Sequence, residues 1–431
     1  MNESPYKNQR AFRNAAKAVL EANWTGQFTK PAPSLYPHQW NWDTGFIAIG
    51  YAHYDLEKAM TELRSLFAGQ WANGFLPQII FHPETAETAQ YFPGADFWQS
   101  HRSAHAPSAP QTSGITMPPV HGFVLWNIYQ RALDKETAAA FLKSFFPKVM
   151  ALHRYLYQHR NQQEEGLIHL IHPWESGTDN SPVWDQVLRT IDTDLLTIPD
   201  YERKDLQHKK AQLHRPTDLD YDRYVYLVDL FRQHQYDDAA IARHSPFLVQ
   251  DPLFNAILVY SNTCLLEIAQ LLGEDVSELV HWNELTTYAM NEKLWNEERG
   301  IYDAWDLRKN ERMPSYSASG LIPMLGNIPN QDQAERMLQT LLGTGFIGSD
   351  EAPMYFCPTY SKNGPAFNAE KYWRGPIWVN MNWLLYHGLL NYDFKETAQQ
   401  VRQETLDLLE KHGFYEYFDP YKSKAHQAGY G

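Results

Sequence analysis

The apolar residues of this chain recur with a helical period over most of its length. Phe12, Ala15, Ala16, Val19 and Ala22 have the i, i+3, i+4, i+7 spacing of an amphipathic helix. The same spacing predicts helices at 56–67, 119–132, 135–159, 183–191, 218–234, 252–272, 276–294, 316–325, 331–342, 376–391 and 394–411. The chain is therefore predicted to belong to the all-α class.

Between these helices the chain has short aromatic stretches that are predicted to be extended. They lie at 74–81, 167–172, 300–305, 354–360 and 414–418. Two longer segments, 84–118 and 197–216, are predicted to be functional loops. No Gly/Ser run and no fixed repeat period interrupts the pattern, so we expect one domain over residues 1–431. Two concentric rings of antiparallel helices fit this order, and an irregular helical bundle fits it equally well.

The composition excludes several classes of protein. The 431 residues include 37 Lys and Arg against 51 Asp and Glu, a net charge of −14, which disfavours nucleic acid and anionic membranes as partners. The two cysteines, Cys264 and Cys357, form no CxxC pair, which excludes a disulfide framework and a cysteine zinc site. No apolar run approaches the ~18 residues of a spanning helix, and residues 1–20 do not resemble a signal peptide. We therefore expect a cytoplasmic protein.

Four segments combine aromatic rings with hydrogen-bonding side chains, and the first is residues 36–46. Here Trp40 and Trp42 flank Asp43, just before a helical stretch. A carboxylate between indoles suits sugar binding, because it accepts hydrogen bonds from neighbouring hydroxyls while the rings cover apolar C–H faces. The alternative is that Asp43 caps the helix through backbone N–H groups and that both indoles pack inward.

The second segment, residues 172–185, has three acids within eleven positions: Glu175, Asp179 and Asp185. An apolar, aromatic setting would raise the pKa of one of these acids and keep it protonated near neutral pH. Gly177 would let the backbone approach a ligand closely. The alternative for Asp179 and Asp185 is that they cap the next predicted helix.

The third and fourth segments lie towards the C-terminal end of the chain. Arg374 precedes a helix that is expected to have Pro376 in its first turn, and it is either a site residue or a partner in an ion pair. Strand alternation would place Phe414, Glu416 and Phe418 on one face. A carboxylate that shares a face with two phenyl rings needs a polar partner, so Glu416 is a strong site candidate.

Two acids in aromatic loops, one protonated and one ionised, are the minimal set for hydrolysing a glycosidic bond. The chain has no Ser-His-Asp elbow, P-loop, GxGxxG or HExxH motif. His101 and His105 stand four positions apart, but in a loop rich in Ser, Ala and Pro. We therefore expect neither a metal nor a cofactor.

Taken together, five segments resemble glycoside hydrolase family 63, the group of the eukaryotic processing α-glucosidase I. Within that group the chain is most similar to the bacterial mannosylglycerate and glucosylglycerate hydrolases. The segments are YPHQWNWDTGF (36–46), HPWESGTDNSPVWD (172–185), HRPTDLDYDRY (214–224), YWRGPIW (372–378) and FYEYFDP (414–420). The resemblance implies an (α/α)6 barrel of six helical hairpins, with the long aromatic loops at its active-site end.

The resemblance also implies roles for individual residues. Asp179 matches the general acid and Glu416 the general base of an inverting enzyme, whose carboxyls stand roughly 6.5–9.5 Å apart with a water between them. Arg215 and Tyr221 match residues that hold the glycerate in relatives acting on glyceric-acid glycosides, and a planar guanidinium suits a carboxylate. The substrate-binding candidates are Tyr36, Trp40, Trp42, Asp43, Gln111, Trp174, Gly177, Arg215, Tyr221, Tyr372, Trp373, Trp378 and Gln427.

The sequence departs from the family pattern at two places. Val183 stands where relatives have a basic residue, so a salt bridge beside the acid is expected to be absent. Relatives continue past the FYEYFDP segment into another helix, whereas this chain ends at Gly431. The last helix is therefore expected to be missing or truncated.

The leading hypothesis is an inverting α-glycosidase that releases glucose or mannose from a small α-glycoside of glycerate. The alternatives are a neutral α-glucosidase acting on a small disaccharide, and a sugar-binding relative with weak catalysis. An epimerase on a similar barrel would need two histidines beside one cleft, which the sequence does not indicate. The sequence leaves open the choice between gluco and manno substrates, and it leaves open a homo-oligomer.

Overall fold

The computed structural model describes residues 9–33, 35–83, 91–161, 164–206 and 214–423. Its α-helices are α1 (Gln9–Asn23), α2 (Asn41–Ala52), α3 (Leu56–Phe67), α4 (Ala95–Trp98), α5 (His121–Arg131), α6 (Lys135–His159), α7 (Asp185–Leu188), α8 (Asp218–Gln233), α9 (Asp238–His244), α10 (Pro252–Leu272), α11 (Ser277–Ala289), α12 (Gln331–Leu341), α13 (Thr344–Ile347), α14 (Val379–Asn391) and α15 (Lys395–His412). A 3₁₀ helix at Ala318–Gly326 adds a further helical segment.

The strands are short. They are β1 (Gln39–Trp40), β2 (Ile79–Phe81), β3 (Gln111–Thr112), β4 (His169–Leu170), β5 (Val249–Gln250), β6 (Trp295–Asn296), β7 (Ile301–Tyr302), β8 (Ala304–Asp306), β9 (Glu311–Met313), β10 (Gly348–Ser349), β11 (Ala352–Pro353), β12 (Ile377–Trp378) and β13 (Tyr417–Phe418). They pair as β1-β2-β3, β4-β5-β8-β9, β6-β7, β10-β11 and β12-β13, and every pairing is antiparallel.

The helix predictions are largely confirmed, and α6 and α10 have the predicted bounds. The prediction was wrong at the start of α14, which begins at Val379 and not in the turn of Pro376. Ile377 and Trp378 instead pair with β13, a long-range contact that local periodicity does not record. The stretch that follows Asp43 is helical as expected, but α2 begins two residues earlier, at Asn41.

The longest helices pack in two layers. In the inner layer α2 contacts α5, α5 contacts α10, α10 contacts the 3₁₀ helix at Ala318–Gly326, and that helix contacts α14. In the outer layer α3 lies on α2, α6 on α5, α11 on α10, and α15 on α14. The burial of the helices reflects this order, because α10 is buried along most of its length whereas α15 has five buried residues among its 18.

By length and composition, α10 could cross a membrane, but 78% of its apolar window is buried inside the fold. Within the described residues it is the only helix with these properties. Its apolar side chains are therefore accounted for by packing against its helical neighbours.

Two of the small sheets carry residues to one end of the helices. In β1-β2, Trp40 pairs with Ile79, next to Gln78. In β12-β13, Trp378 pairs with Tyr417, next to Glu416. Segments that are distant along the chain therefore meet at the entrance to α2 and α14.

Candidate active site

Two adjoining cavities lie at this end of the molecule, and they share Tyr36, Trp40, Gln78, Asp179 and Tyr372. We call them the larger cavity, of about 530 Å³, and the smaller cavity, of about 120 Å³. Beyond the shared residues, the walls of the larger cavity include Trp42, Asp43, Met117, Gly177, Trp373, Trp378 and Glu416. Those of the smaller cavity include Tyr91, Phe92, Trp174, Lys204, Asp205, Arg215 and Tyr221.

Nearly all the residues predicted for the site line one of the two cavities. In particular, Asp179 and Glu416 open into the same cavity. Gln111 lines neither cavity and lies exposed on β3 opposite Phe81, so its contact with substrate stays a prediction. Gln427 lies outside the described residues, as does the segment for which a missing or truncated helix was expected.

Asp179 is fixed by contacts of its two neighbours in the chain. The Thr178 carbonyl accepts a hydrogen bond from Trp184 Nε1 (3.1 Å), and Asn180 Oδ1 accepts one from the Trp373 backbone N–H (2.9 Å). Within the described residues no side-chain donor reaches the Asp179 carboxyl. Burial raises the pKa of Asp179 to about 7, against a smaller lowering by the Arg215 charge. This carboxyl can therefore hold a proton near neutral pH.

Glu416 has one oxygen bound and one free. Its Oε1 accepts a hydrogen bond from the Tyr372 hydroxyl (3.2 Å), while Oε2 is buried without a hydrogen-bond partner among the described residues. Burial raises the pKa of Glu416 to about 7, and the Arg215 charge and the Tyr372 hydrogen bond oppose this rise. The free oxygen is available to accept a hydrogen bond from a water in the larger cavity.

The strand prediction around Glu416 was wrong in one respect. The strand β13 is only two residues long, and Glu416 precedes it. Phe414 and Glu416 both line the larger cavity, but Phe418 is fully buried in a separate apolar cluster with Ile377 and Leu408. The pairing of β13 with β12 therefore turns Phe418 away from the site.

Asp43 lies in the first turn of α2 and also faces the larger cavity. The N-cap position is Trp40, which makes no side-chain cap, whereas Asp43 stands at the third helical position and its carboxyl accepts a hydrogen bond from its own backbone N–H. Burial raises the pKa of Asp43 to about 6. Its position in the first turn favours the ionised form, because the N-terminus of a helix attracts negative charge.

The other two acids of the 172–185 segment are structural. Glu175 is fully buried, accepts N–H bonds from Thr116 (3.2 Å) and Ile171 (2.8 Å), and pairs with Arg160 (3.1 Å). This acid has all the partners it needs.

Asp185 makes a two-pronged ion pair with Arg374, at 2.8 and 2.6 Å, which is the structural role considered for that arginine. The 3₁₀ turn at Pro182–Trp184 is capped by Ser181, so neither Asp179 nor Asp185 is the cap.

Indole rings form much of the larger cavity. Trp373 and Trp378 stack with ring centres 3.7 Å apart, and Tyr417 stacks on the far side of Trp378. The Trp42 ring packs on Gly177, where a Cβ would stand 2.6 Å from a ring carbon and the backbone has φ +72°. Gly177 is therefore needed to admit Trp42 as well as to bring the backbone to the cavity.

The smaller cavity contains a cation that forms no ion pair with any acid in the described part of the chain. Arg215 is 9% exposed, donates to the Tyr36 hydroxyl (2.8 Å), and has no ion pair among the described residues. Tyr221 lies beside it, with its hydroxyl donating to the Phe92 carbonyl (3.2 Å). A buried guanidinium without a carboxylate partner suits an anionic ligand.

One residue at the junction of the cavities was missed from the sequence. Gln78 is 5% exposed, lines both cavities, and has a buried Oε1 without a partner among the described residues. It stands before an apolar strand and belongs to no motif, so no local signal marked it. An unpaired amide oxygen of this kind suits a ligand hydroxyl.

No group of three or more His, Cys, Asp or Glu side chains is placed to hold a metal ion within the described ranges. The site chemistry of these ranges rests on Asp43, Asp179, Glu416 and Arg215, with aromatic rings around them.

Paired acids in an indole-walled cavity are the arrangement of a glycoside hydrolase. The chain matches the mannosylglycerate hydrolase MGH1-like glycoside hydrolase domain over residues 36–430, and it belongs to this family. It is 41% identical to a mannosylglycerate hydrolase of Rubrobacter radiotolerans over 95% of this chain and 92% of that protein. It is 34% identical to a glucosylglycerate hydrolase of Mycolicibacterium hassiacum over 94% and 92% of the two chains.

Solved structures agree with this assignment. The family 63 mannosylglycerate hydrolase of Thermus thermophilus, in complex with Tris and D-glycerate, matches with a TM-score of 0.88 and 39% identity, covering 97% of this chain and 96% of that one. The neutral trehalase Nth1 of Saccharomyces cerevisiae matches with a TM-score of 0.53 and 14% identity, which is a likeness of fold alone. The protein is thus a helix-rich glycosidase.

Proposed function

We propose that this protein hydrolyses a small α-glycoside of glyceric acid with inversion at the anomeric carbon. One observation carries the proposal: Asp179 and Glu416 line a single cavity, and the adjoining cavity contains the guanidinium of Arg215, which has no ion pair among the described residues. The names of the relatives from Rubrobacter and Mycolicibacterium support glycerate as the aglycone.

In this proposal Asp179 is the general acid and Glu416 the general base. Asp179 gives its proton to the glycosidic oxygen as that bond breaks. Glu416 takes a proton through Oε2 from a water that attacks the anomeric carbon on the opposite face, which yields the β-anomer of the released sugar.

The sugar would occupy the larger cavity. Asp43 would accept hydrogen bonds from its hydroxyls, and the indoles of Trp42, Trp373 and Trp378 would cover its C–H faces. Tyr36, Trp40 and Tyr372 border both cavities, so these residues would surround the scissile bond.

The glycerate would occupy the smaller cavity. Arg215 would hold its carboxylate, with Tyr221 and Trp174 beside it. Gln78, at the junction, would accept a hydrogen bond from a hydroxyl on either side of the bond to be cleaved.

We also propose that the chain is a single catalytic domain built as an (α/α)6 barrel. The chain order of the contacts from α2 through α5, α10 and Ala318–Gly326 to α14 supports the inner ring. The loops predicted at 84–118 and 197–216 would cover the cleft, since Tyr91, Phe92 and Lys204 line the smaller cavity. A cytoplasmic location belongs to the same proposal.

The test uses glucosylglycerate and mannosylglycerate as substrates, with product formation followed by NMR. We expect sugar release from at least one of them, with the β-anomer appearing before mutarotation. Trehalose and kojibiose serve as neutral comparison substrates and should be hydrolysed far more slowly. Absence of release from both glycerates, or first appearance of the α-anomer, would contradict the proposal.

A further inference from the structure

Three hydrogen bonds connect the guanidinium in the smaller cavity with the carboxylate in the larger one. Arg215 Nη1 donates to the Tyr36 hydroxyl at 2.8 Å, the Tyr36 and Tyr372 hydroxyls lie 2.9 Å apart, and the Tyr372 hydroxyl donates to Glu416 Oε1 at 3.2 Å. We call this series the tyrosine relay. It crosses the junction of the cavities, where the glycosidic bond would lie.

The chemistry of the groups gives the tyrosine relay a direction. A guanidinium has only donors, so the Tyr36 oxygen must accept from Arg215. The Tyr36 proton is then free to point to the Tyr372 oxygen, and the Tyr372 proton to Glu416. A hydrogen bond from the Tyr36 hydroxyl to Glu416 also lowers the pKa of this acid, less than the one from Tyr372 does, so either orientation of the Tyr36 proton supports the ionised carboxylate. The favoured direction ends with a donor on the carboxylate, which stabilises the ionised form of Glu416.

Among the residues that the structure describes, none gives the Asp179 carboxyl such a donor, although its surroundings are otherwise similar. Both acids lie near the same charges, Arg215 and Asp43, and desolvation raises the pKa of each to about 7. Both line the larger cavity, and the Glu416 charge also raises the pKa of Asp179. Burial and charge therefore do not separate their protonation states, whereas the hydroxyl of Tyr372 reaches only Glu416.

The backbone holds Tyr372 in place for this contact. Tyr372 has φ +40°, a conformation that is costly for an aromatic residue, and its carbonyl accepts a hydrogen bond from Trp378 Nε1 (3.1 Å). The ring is 5% exposed and lies with the Arg215 guanidinium 4.7 Å from its centre. Strain kept at a buried hydroxyl is consistent with a role in the site.

We propose that Tyr36 and Tyr372 are positioning residues that keep Glu416 ionised and leave the shared proton on Asp179, by relaying a hydrogen bond from Arg215. This inference rests on the proposed function and extends it, because it names what distinguishes the base from the acid. Glu416 Oε2 stays free for water while Oε1 is held.

The tyrosine relay also explains how an anionic aglycone is tolerated. A carboxylate on Arg215 would cancel the charge that lowers the pKa of both acids. Loss of that charge favours protonated Asp179, as the reaction requires, but it also favours protonated Glu416. Arg215 has five N–H donors, so it can bind a carboxylate and still donate to Tyr36, which preserves the donor on Glu416.

The first test measures carboxyl titration by ¹³C NMR in the free protein, with Glu416→Gln and Asp179→Asn to assign the signals. We expect Tyr372→Phe to raise the pKa of Glu416 by about one unit, with a smaller change at Asp179. Tyr36→Phe should act in the same direction and less strongly. Tyr157→Phe is the control, because it removes a buried hydroxyl bonded to Thr286, outside both cavities.

The second test measures kcat and KM against pH on α-mannosyl and α-glucosyl fluoride. Fluoride leaves without a proton from Asp179, so the acidic limb reports the base. We expect Tyr372→Phe to move that limb about one unit upward and to lower kcat about tenfold at acidic pH, with little change in KM.

An unchanged Glu416 titration in Tyr372→Phe, or an equal shift of Asp179, would overturn the tyrosine relay. A pH profile of lower amplitude but unchanged shape would also overturn it, since a merely structural role predicts that result. The NMR titration needs no turnover. A protein that cleaves neither glycerate therefore contradicts the proposed function, while the titration still decides on the tyrosine relay.

Discussion

Glu175 and Asp179 stand four positions apart and differ completely in their surroundings. Glu175 is fully buried, with two backbone donors and the Arg160 guanidinium on its carboxylate. Asp179 faces both cavities and has no side-chain donor among the described residues. A buried acid with satisfied hydrogen bonds therefore maintains the fold, whereas an acid without such partners is free to exchange a proton with a ligand.

The arginines also differ in whether their hydrogen-bonding partners are acids. Arg160 and Arg374 bind the structural acids Glu175 and Asp185. Arg215 has tyrosine partners and no ion pair among the described residues. We expect substitutions of the unsatisfied groups to change activity and substitutions of the satisfied groups to change stability.

The largest effect is expected for the two unsatisfied acids. Asp179→Asn and Glu416→Gln should each lower kcat by about 10³-fold or more, because each removes one proton-transfer group. Both variants should remain folded. The measurement is kcat on the glycerate glycosides together with thermal unfolding. Substantial residual activity in either variant would contradict the role of that acid in proton transfer.

The next effect concerns stability. Glu175→Gln leaves Arg160 without the charge of its fully buried partner, so the free energy of unfolding should fall by about 3 kcal/mol. Urea unfolding measures this change. The folded fraction of the variant should show the same dependence of kcat on pH as the unaltered protein. A displaced pH profile of kcat would mean that Glu175 also acts in the reaction.

The arginines give a matched pair of variants. Arg215→Gln should raise KM for glycerate glycosides by about 10–100-fold, because a charge-assisted bond to the carboxylate is lost. KM for the fluoride substrates should change much less. Arg374→Gln loses its ion pair with Asp185 and should leave the preference between the two substrate types unchanged. Equal effects of the two variants on that preference would contradict the assignment.

A smaller effect is expected at Gln78. Gln78→Leu should lower kcat/KM about tenfold, because a hydroxyl acceptor at the junction is lost. Stability should not fall, since the substitution removes a buried and unsatisfied oxygen. Gln339→Leu is the comparison variant at an exposed position of α12, outside both cavities, and it should leave kcat/KM unchanged.

The smallest effect is a pH dependence of stability. The pKa values of Asp43 (about 6), Asp179 (about 7) and Glu416 (about 7) are raised in the folded protein. The folded state therefore binds more protons than the unfolded chain between about pH 4 and 7, so stability is lost as pH rises through that window.

The direction of this change of stability with pH can be checked by thermal unfolding. Asp179→Asn should raise Tm by about 1–3 °C at pH 8 and by less near pH 4, where the acid is protonated in the folded state and only partly ionised in the unfolded state. Asp185→Asn, which breaks the bond to Arg374, should lower Tm at pH 8. A lower Tm for Asp179→Asn at pH 8 would contradict the raised pKa.

The local pattern of apolar residues was sufficient to predict the bounds of the long helices. It was insufficient where segments distant along the chain pair with each other. The bounds of α6 and α10 follow from apolar periodicity, because these helices bury continuous faces. The start of α14 and the direction of Phe418 depend on the β12-β13 pairing, which no local window contains.

The site shows the same division. Aromatic clusters marked Asp43, Asp179 and Glu416 as candidates, but they did not separate Asp179 from its satisfied neighbour Glu175, and only the family resemblance of the segment 172–185 singled out Asp179. The tyrosine relay joins residues 36, 215, 372 and 416, so only the folded chain reveals it. Gln78 carried no signal, because a single amide beside an apolar strand is common.

The hydrogen bond from the Trp373 backbone to Asn180 has an evolutionary consequence. This bond connects the segment that contains the proton donor Asp179 with the segment that contains Trp373, whose indole lines the larger cavity. A descendant that remodelled this wall to admit a bulkier monosaccharide would displace its own acid in the same step. Changes of specificity in this lineage should therefore arise more readily on the Arg215 side, where the aglycone can be exchanged without moving Asp179.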